Sequence, residues 1–363
     1  MALVTGLPTL LTKQVESMSE TLFEGFFADP LLTSLVTVQQ DIKADKQLIV
    51  FQRHTGLSGK NVTACPTPTN STWGFNTIEK TWQPKYIGDR YAECYQTFMA
   101  TFTQWMLNAG VNKSDFTNTE LAGFILEQMQ DMLAEVMQRM FWFGDKGIVA
   151  GTNNNLTSGQ LAFFNSIDGI WAQLFDIVTA DSARYSTTGL NTYNIETTYA
   201  DQKFDATATT NQVAGNALDS LWYDADMRLR GMSKSDLAYY VTQSVYDQLE
   251  KERKAVGGID LPYNRQEAGI SGLTWNGIQI LPIQLWDRMI ASYFGNDATP
   301  TYSYLPHRAL LSTKSNLLLG VETTGSLSEL DAWYSRDDEK MYAKFGAMVD
   351  AKVALDNMVQ VAY

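Results

Sequence analysis

Histidine and cysteine are scarce in this 363-residue chain, with two of each. His54 and His307 stand far apart, and neither Cys65 nor Cys94 sits in a C-x-x-C spacing. A zinc site therefore has little to be built from. No H-E-x-x-H and no G-x-S-x-G is present, and nothing assembles a nucleophile, a base and an orienting group. The expectation is no catalytic, cofactor-binding or metal residue, no cofactor, and no enzyme. Both histidines read as surface or satisfied core residues. Two unrelated cysteines also speak against a disulfide framework and for a reducing compartment.

Charge is low as well. Charged residues make up 18% of the chain, against ~25% in an average globular protein. Lys and Arg number 27 against 40 Asp and Glu, a net charge of −13. A chain this acidic is poorly suited to gripping a phosphate backbone, which needs clustered cations. An acidic surface near DNA would repel it, which suits a container wall better than a DNA reader. Long apolar runs are missing too. None approaches the ~20 residues of a membrane span, and the N-terminal stretch, with Lys13 as its one early cation, does not read as a signal peptide. No membrane partner is expected. The sequons at Asn61, Asn70, Asn112 and Asn155 then read as chance matches in Asn- and Thr-rich segments.

What the chain has is apolar and aromatic matter, 45% and 12% of residues. That fits burial against partners and fits equally a large core of two or three subdomains. The strongest periodic signal runs from Thr119 to Trp142. Leu121, Ile125, Met129, Met132, Val136, Met140 and their neighbours recur at helical steps. Glu135 and Arg139 form a favourable pair on the other face. Thr117 and Glu120 fit a capping box, and Gly144, Asp145 and Gly147 supply the stop. Such a helix would run roughly 35 Å. Its methionines read as adaptable core.

The rest falls in order around that helix. Pro8 to Ala28 reads as an amphipathic helix closed by Asp29-Pro30. Asp45 to about Lys80 is rich in Thr, Asn, Gly and Pro, and reads as a projecting loop or hairpin. Its Gly56 to Asn61 stretch has the wrong glycine spacing for a phosphate loop. Lys80 to Ala100 reads as a strand leading into a helix-like segment. Leu161 to Val178 is apolar and partly helical, and residues 180–211 are polar and aperiodic. Gln212 to Arg230 reads as one helix with Val213, Ala217, Leu221 and Tyr223 on a face. Ser235 to Lys254 reads as a strand entering a helix that Gly257-Gly258 stops. A strand follows the Asn276-Gly277 turn, with Pro282 at an edge position. Two short strands flank Lys314-Ser315-Asn316, and an alternating run from Met341 precedes a last strand ending at Tyr363. Asp337 to Glu339 reads as a solvated turn.

This order resembles the major capsid protein of tailed bacteriophages, the Hong Kong 97-type shell fold. The matching stretches are Phe141 to Gly147 closing the long helix, and the strand-plus-helix unit from Asp236 to Lys254. They continue with the strand Gly277 to Pro282, the strand pair Arg308 to Leu311 and Asn316 to Gly320, and the closing antiparallel pair from Trp333 to Tyr363. The resemblance spans roughly Lys80 to Tyr363. It implies an α+β fold: an N-terminal arm (1–44), an extended loop (45–80), a P-domain (81–211) with its spine helix (119–142), an A-domain (212–324), and a return to the P-domain (325–363). It further implies a homo-oligomer of pentamers and hexamers forming an icosahedral shell around double-stranded phage DNA, contacted non-specifically at most. Separate scaffolding, portal and decoration proteins would be partners. Assembly would take place in the host cytoplasm and the product would be the virion. Residues 180–211 depart from the family as an insertion would, and no Lys, Asn and carboxylate match the cross-link of some relatives. An encapsulin-like nanocompartment shares the fold and remains an alternative. A soluble glycan-binding module is a second alternative, suggested by the Thr, Asn and Trp content.

Overall fold

The computed structural model describes residues 34–42, 47–52, 76–94, 135–191, 213–257, 273–295, 303–321, 331–335 and 340–363. The helix expected over 8–28, the first part of the long helix, the capping box at 117–120, the loop tip, His54, Cys65 and residues 337–339 lie outside them. The described elements begin with β1 (Thr37–Gln39), β2 (Gln47–Gln52), β3 (Asn76–Thr81) and β4 (Lys85–Cys94). Helix α1 covers 135–143, followed by α2 (Ile170–Ala180), α3 (Val213–Tyr223) and α4 (Met227–Arg230). Then come β5 (Leu237–Val241), α5 (Gln243–Gly257), β6 (Thr274–Trp275), β7 (Ile278–Pro282) and α6 (Gln284–Tyr293). The chain closes with β8 (Ala309–Thr313), β9 (Leu317–Val321), β10 (Asp331–Ser335), β11 (Lys340–Val353) and β12 (Val359–Ala362).

The strands form two five-stranded sheets and one hairpin. In the first sheet β11 is the common neighbour. β4 pairs antiparallel along one flank, from Lys340 to Val349. The other flank carries β10 from Lys340 to Lys344 and β9 from Val349 to Val353. β1 adds parallel to β9. The second sheet has the order β12-β8-β5-β7-β6. The hairpin is β2 with β3, Gln47 opposite Thr81. This is the base of the projecting segment expected between residues 45 and 80. Lys80 ties it down, its Nζ donating to Val353 O at 2.7 Å and to Asp356 Oδ1.

Sequence explains why the second sheet is central. Every residue of β5, β8 and β12 is buried, as is every residue of β9 in the first sheet. Strands covered on both faces read as continuous apolar runs rather than as alternation. Odd and even residues of β5 enter different cores. Ala238 and Tyr240 face α1, α2, α6 and β11, while Leu237, Tyr239 and Val241 face α3 and α5. The β6–β7 turn was written in the chain: Asn276 and Gly277 have φ of 52° and 79°, the consecutive positive values a two-residue I′ hairpin needs. Pro282 ends β7 beyond the reach of β6, which pairs only with Ile278 and Gln279.

Three expectations change. The span Gln212 to Arg230 is two helices, not one. Asp226 caps α4 by accepting from Arg228 N at 2.8 Å, and Asp224 is drawn off to Ser220 and Thr187. Short carboxylates bonding nearby backbone and hydroxyl groups compete with helix continuation. Tyr223 consequently points outward, 62% exposed. Secondly, β8 and β9 do not pair with each other: β8 lies between β5 and β12, and β9 between β1 and β11. The three-residue turn Lys314–Asn316 carries the chain from one sheet to the other. The sheets also interleave along the chain, β9 joining the first and β12 the second. Finally, Glu135 turns to Arg288 of α6 at 3.1 Å instead of to Arg139, whose guanidinium lies 5.0 Å over the Phe163 ring.

Two chain crossings between the sheets meet at Asn316. Its Oδ1 accepts from Leu355 N at 2.7 Å, and its Nδ2 donates to Leu355 O at 3.1 Å and Met358 O at 3.3 Å. The β8–β9 and β11–β12 connections are thereby joined by one buried amide.

Helix α1 stops for a steric reason. Gly144 does not adopt a left-handed conformation; it lies against backbone. A Cβ there would come 2.5 Å from Ile167 O and 2.7 Å from Met140 O. Gly169 meets it from the other side, donating its N–H to Gly144 O at 2.8 Å. A Cβ on Gly169 would lie 2.7 Å from Gly144 N and Met140 O and 2.8 Å from Phe141 O. All three atoms are backbone and cannot swing aside. Gly169→Ala should therefore lower stability by about 3 kcal/mol or more, the scale of an overpacked core. Gly159→Ala, where a Cβ meets nothing within 4 Å, should leave the urea midpoint within about 0.5 kcal/mol of the parent. Equal midpoints for the two variants would contradict this account.

Candidate functional site

The last turn of α1 supplies Phe141, Trp142 and Phe143, all buried. Trp142 meets Trp286 of α6 edge-on at 4.9 Å between centroids, and Trp286 meets Trp171 of α2 edge-on at 5.0 Å. Such edge-to-face pairs each add about 0.5–1.5 kcal/mol beyond their burial. Trp171 continues to Phe175 at 5.8 Å and Phe175 to Tyr363 at 5.0 Å. The Tyr185 hydroxyl donates to Tyr363 O at 2.6 Å. One aromatic chain thus runs from the end of α1 to Tyr363 and clamps both sheets. Gln173 of α2 adds polar ties, donating to Ala351 O at 2.8 Å and accepting from Val353 N at 3.0 Å.

Arg308 is the unexpected member of this region. It is 2% exposed, yet no carboxylate among the described residues pairs with it. Its Nε donates to Leu305 O at 2.9 Å and its Nη2 to Tyr304 O at 3.4 Å. Leu305 is held at φ 47°. The guanidinium carbon lies 5.0 Å from the Trp171 ring and 5.5 Å from those of Phe143 and Phe175. Burial pushes its pKa down to about 9.

Sequence reading placed His307 as a surface or satisfied core residue, and the structure puts it in the core. It is 3% exposed, and its Nδ1 lies 2.8 Å from Ser244 Oγ. The main chain of His307 is held by Asn191 through bonds of 2.7 and 3.1 Å. A serine and a histidine in contact invite a catalytic reading. Burial, however, pushes the His307 pKa down to about 4, too weak a base to take a hydroxyl proton near neutrality. Ser244 belongs to the start of α5, where Asp287 of α6 caps the helix by accepting from Gln243 N at 2.6 Å. Sequence spacing could not foresee these pairs, because their members lie 43 to 116 residues apart. Among the described residues no cluster of His, Cys, Asp and Glu has metal-binding geometry, and no helix is long and apolar enough to cross a membrane.

No family model matches the sequence, and no curated protein matches it. Solved structures do. A chain of the satellite phage P4 procapsid that includes the size-determination (Sid) protein is 10% identical. The match covers 94% of this chain and 98% of that one, with a TM-score of 0.51. A chain of Gordonia phage Cozz is 12% identical over 92% of this chain and 85% of that one, also with a TM-score of 0.51. The fold is that of the Hong Kong 97-type phage capsid proteins. In this capsid fold the aromatic chain holds the interior, and three described features face outward. β4 pairs only with β11 and leaves its other flank unpaired among the described strands. The β2–β3 hairpin stands as a separate two-stranded unit. The α3–α4 corner exposes Tyr223, Met227 and Met232, by 62%, 81% and 37%.

The pH response of the capsid fold follows from His307. Its pKa is about 4 in the folded chain against 6.5 for the free side chain. The unfolded chain therefore binds the proton first, and stability falls as pH drops from about 6.5 towards 4. The loss approaches about 3 kcal/mol by pH 4. Asp287, whose pKa burial raises, acts in the opposite sense. His307→Gln should flatten the slope over this window in denaturant titrations at stepped pH. An unchanged slope would mean that His307 does not titrate on unfolding.

Proposed function

We propose that this chain is the major capsid protein of a tailed phage, a structural subunit and not an enzyme. Copies associate through pentamers and hexamers into an icosahedral shell that encloses double-stranded DNA. The observation carrying this reading is the likeness to the P4 procapsid chain, which runs end to end over 94% and 98% of the two chains. Physical features agree with it. A two-stranded hairpin is marginal by itself in water, so β2 and β3 gain most from lying on a neighbour. An unpaired β4 flank is a template for contact. A net charge of −13 repels packaged DNA and favours a wall over a binder.

The mechanism is geometric. Each copy offers unlike edges to its neighbours, and contacts that close by rotation make rings. Many modest interfaces then act together. Assembly in the host cytoplasm, with separate scaffolding, portal and decoration proteins, belongs to the same proposal.

Deleting residues 56–70, between β2 and β3, tests it. The parent chain, expressed with its neighbouring gene products, should give rings or round shells by light scattering and negative-stain microscopy. The deletion should keep the parent's circular dichroism and thermal midpoint and elute as unassembled subunits. Normal shells from the deletion would refute a role for the hairpin. A parent that stays monomeric under every condition would turn the weight to the glycan-binding alternative and make ligand screening the next step.

A further inference from the structure

A cavity of about 420 Å³ opens beside Arg308, where the end of α1, helix α2 and the segment after α6 meet. Phe143, Trp171 and Phe175 form its aromatic side, and all three rings face the guanidinium. The volume lies within the ~300–1,000 Å³ of small-molecule sites, which are mostly apolar with a few placed polar groups. Two donors here are underused. Arg308 is a buried cation whose partners are two neutral carbonyls and three rings. The buried indole N–H of Trp171 has no hydrogen-bond partner among the described residues. Leaving a buried donor unmade is costly, and a buried charge without a counter-charge more so.

The other polar wall groups narrow the ligand. Asn154 is saturated: its Oδ1 accepts from Gly151 N and Leu156 N, and its Nδ2 donates to Val149 O and Thr152 O. Asp145 also lines the cavity, and its Oδ1 accepts from Gly147 N at 2.7 Å. A second anionic group on a ligand would meet that carboxylate. We propose that this cavity binds a small organic monocarboxylate with a flat apolar body, its carboxylate on the Arg308 guanidinium and its body against Phe143, Trp171 and Phe175. Arginine suits this role because its planar fork matches a carboxylate in two parallel bonds. The proposal does not rest on assembly, since a single copy supplies every group named.

The test titrates benzoate, benzamide and phthalate into the full unassembled chain, followed by calorimetry and by tryptophan emission. Benzoate should bind at one saturable site and raise the thermal midpoint. Benzamide, of the same shape without the charge, should bind about tenfold more weakly or worse. Phthalate, with its second carboxylate, should also fall behind benzoate. Arg308→Lys keeps the charge and loses the fork, and should weaken benzoate by about tenfold. Ala172→Phe, which fills the cavity from α2, should abolish binding in a chain whose circular dichroism matches the parent. Equal binding of benzoate and benzamide, no saturation by benzoate, or benzoate binding that survives Ala172→Phe would overturn the proposal.

Discussion

Everything in the described fold leans on one contact made without side chains, the end of α1 against the start of α2. Gly144 and Gly169 bring two stretches of backbone close enough to hydrogen-bond at 2.8 Å. That approach sets the angle at which Trp142 reaches Trp286 and Trp171. The three indoles in turn hold α2 and α6 against β11 and the second sheet. A methyl group at either glycine would push apart elements that the aromatic chain needs together. Packing at this density leaves no slack to absorb the shift.

From that contact the interior divides into two cores sharing one sheet. The second sheet is covered on one face by α1, α2 and α6, and on the other by α3 and α5. This accounts for the chain's low charge without invoking partners: strands buried on both sides have few positions left for ionic residues. Several polar groups that do enter are held by specific bonds. Asp350 is completely buried and accepts from Gln83 N at 2.8 Å. His307 is neutral and held by Ser244. Arg308 has no carboxylate partner among the described residues, and its surroundings are the ones that open into a cavity.

The legible part of the fold was carried by local signals. Asn276-Gly277 marked a hairpin, Gly257 the end of α5, and the Val-Gln-Val-Ala stretch the last strand, because each depends on residues next to one another. Sheet membership was less legible. Nothing local separates β8 from β9, both short and apolar, yet they lie in different sheets. The break at Asp224 to Asp226 depended on Thr187 and Ser220 as much as on the aspartates, and so could not be seen in the helix pattern itself. Arg308 was visible only as the first residue of a strand motif. Its lack of a carboxylate partner among the described residues is a property of three-dimensional neighbours. The capsid order of elements was readable because it is a sum of many weak local signals, whereas the cavity depends on a few distant ones.

The amide of Asn316 has a mechanical consequence. It fastens together the two places where the chain crosses between the sheets. Two neighbouring fixed points define a line, much as two pins define the axis of a door. Sliding one crossing past the other would break these three bonds, whereas a tilt about that line would keep them. Such a tilt would also have to repack the core that side chains of both sheets share, so the pinned line and the shared core resist movement together.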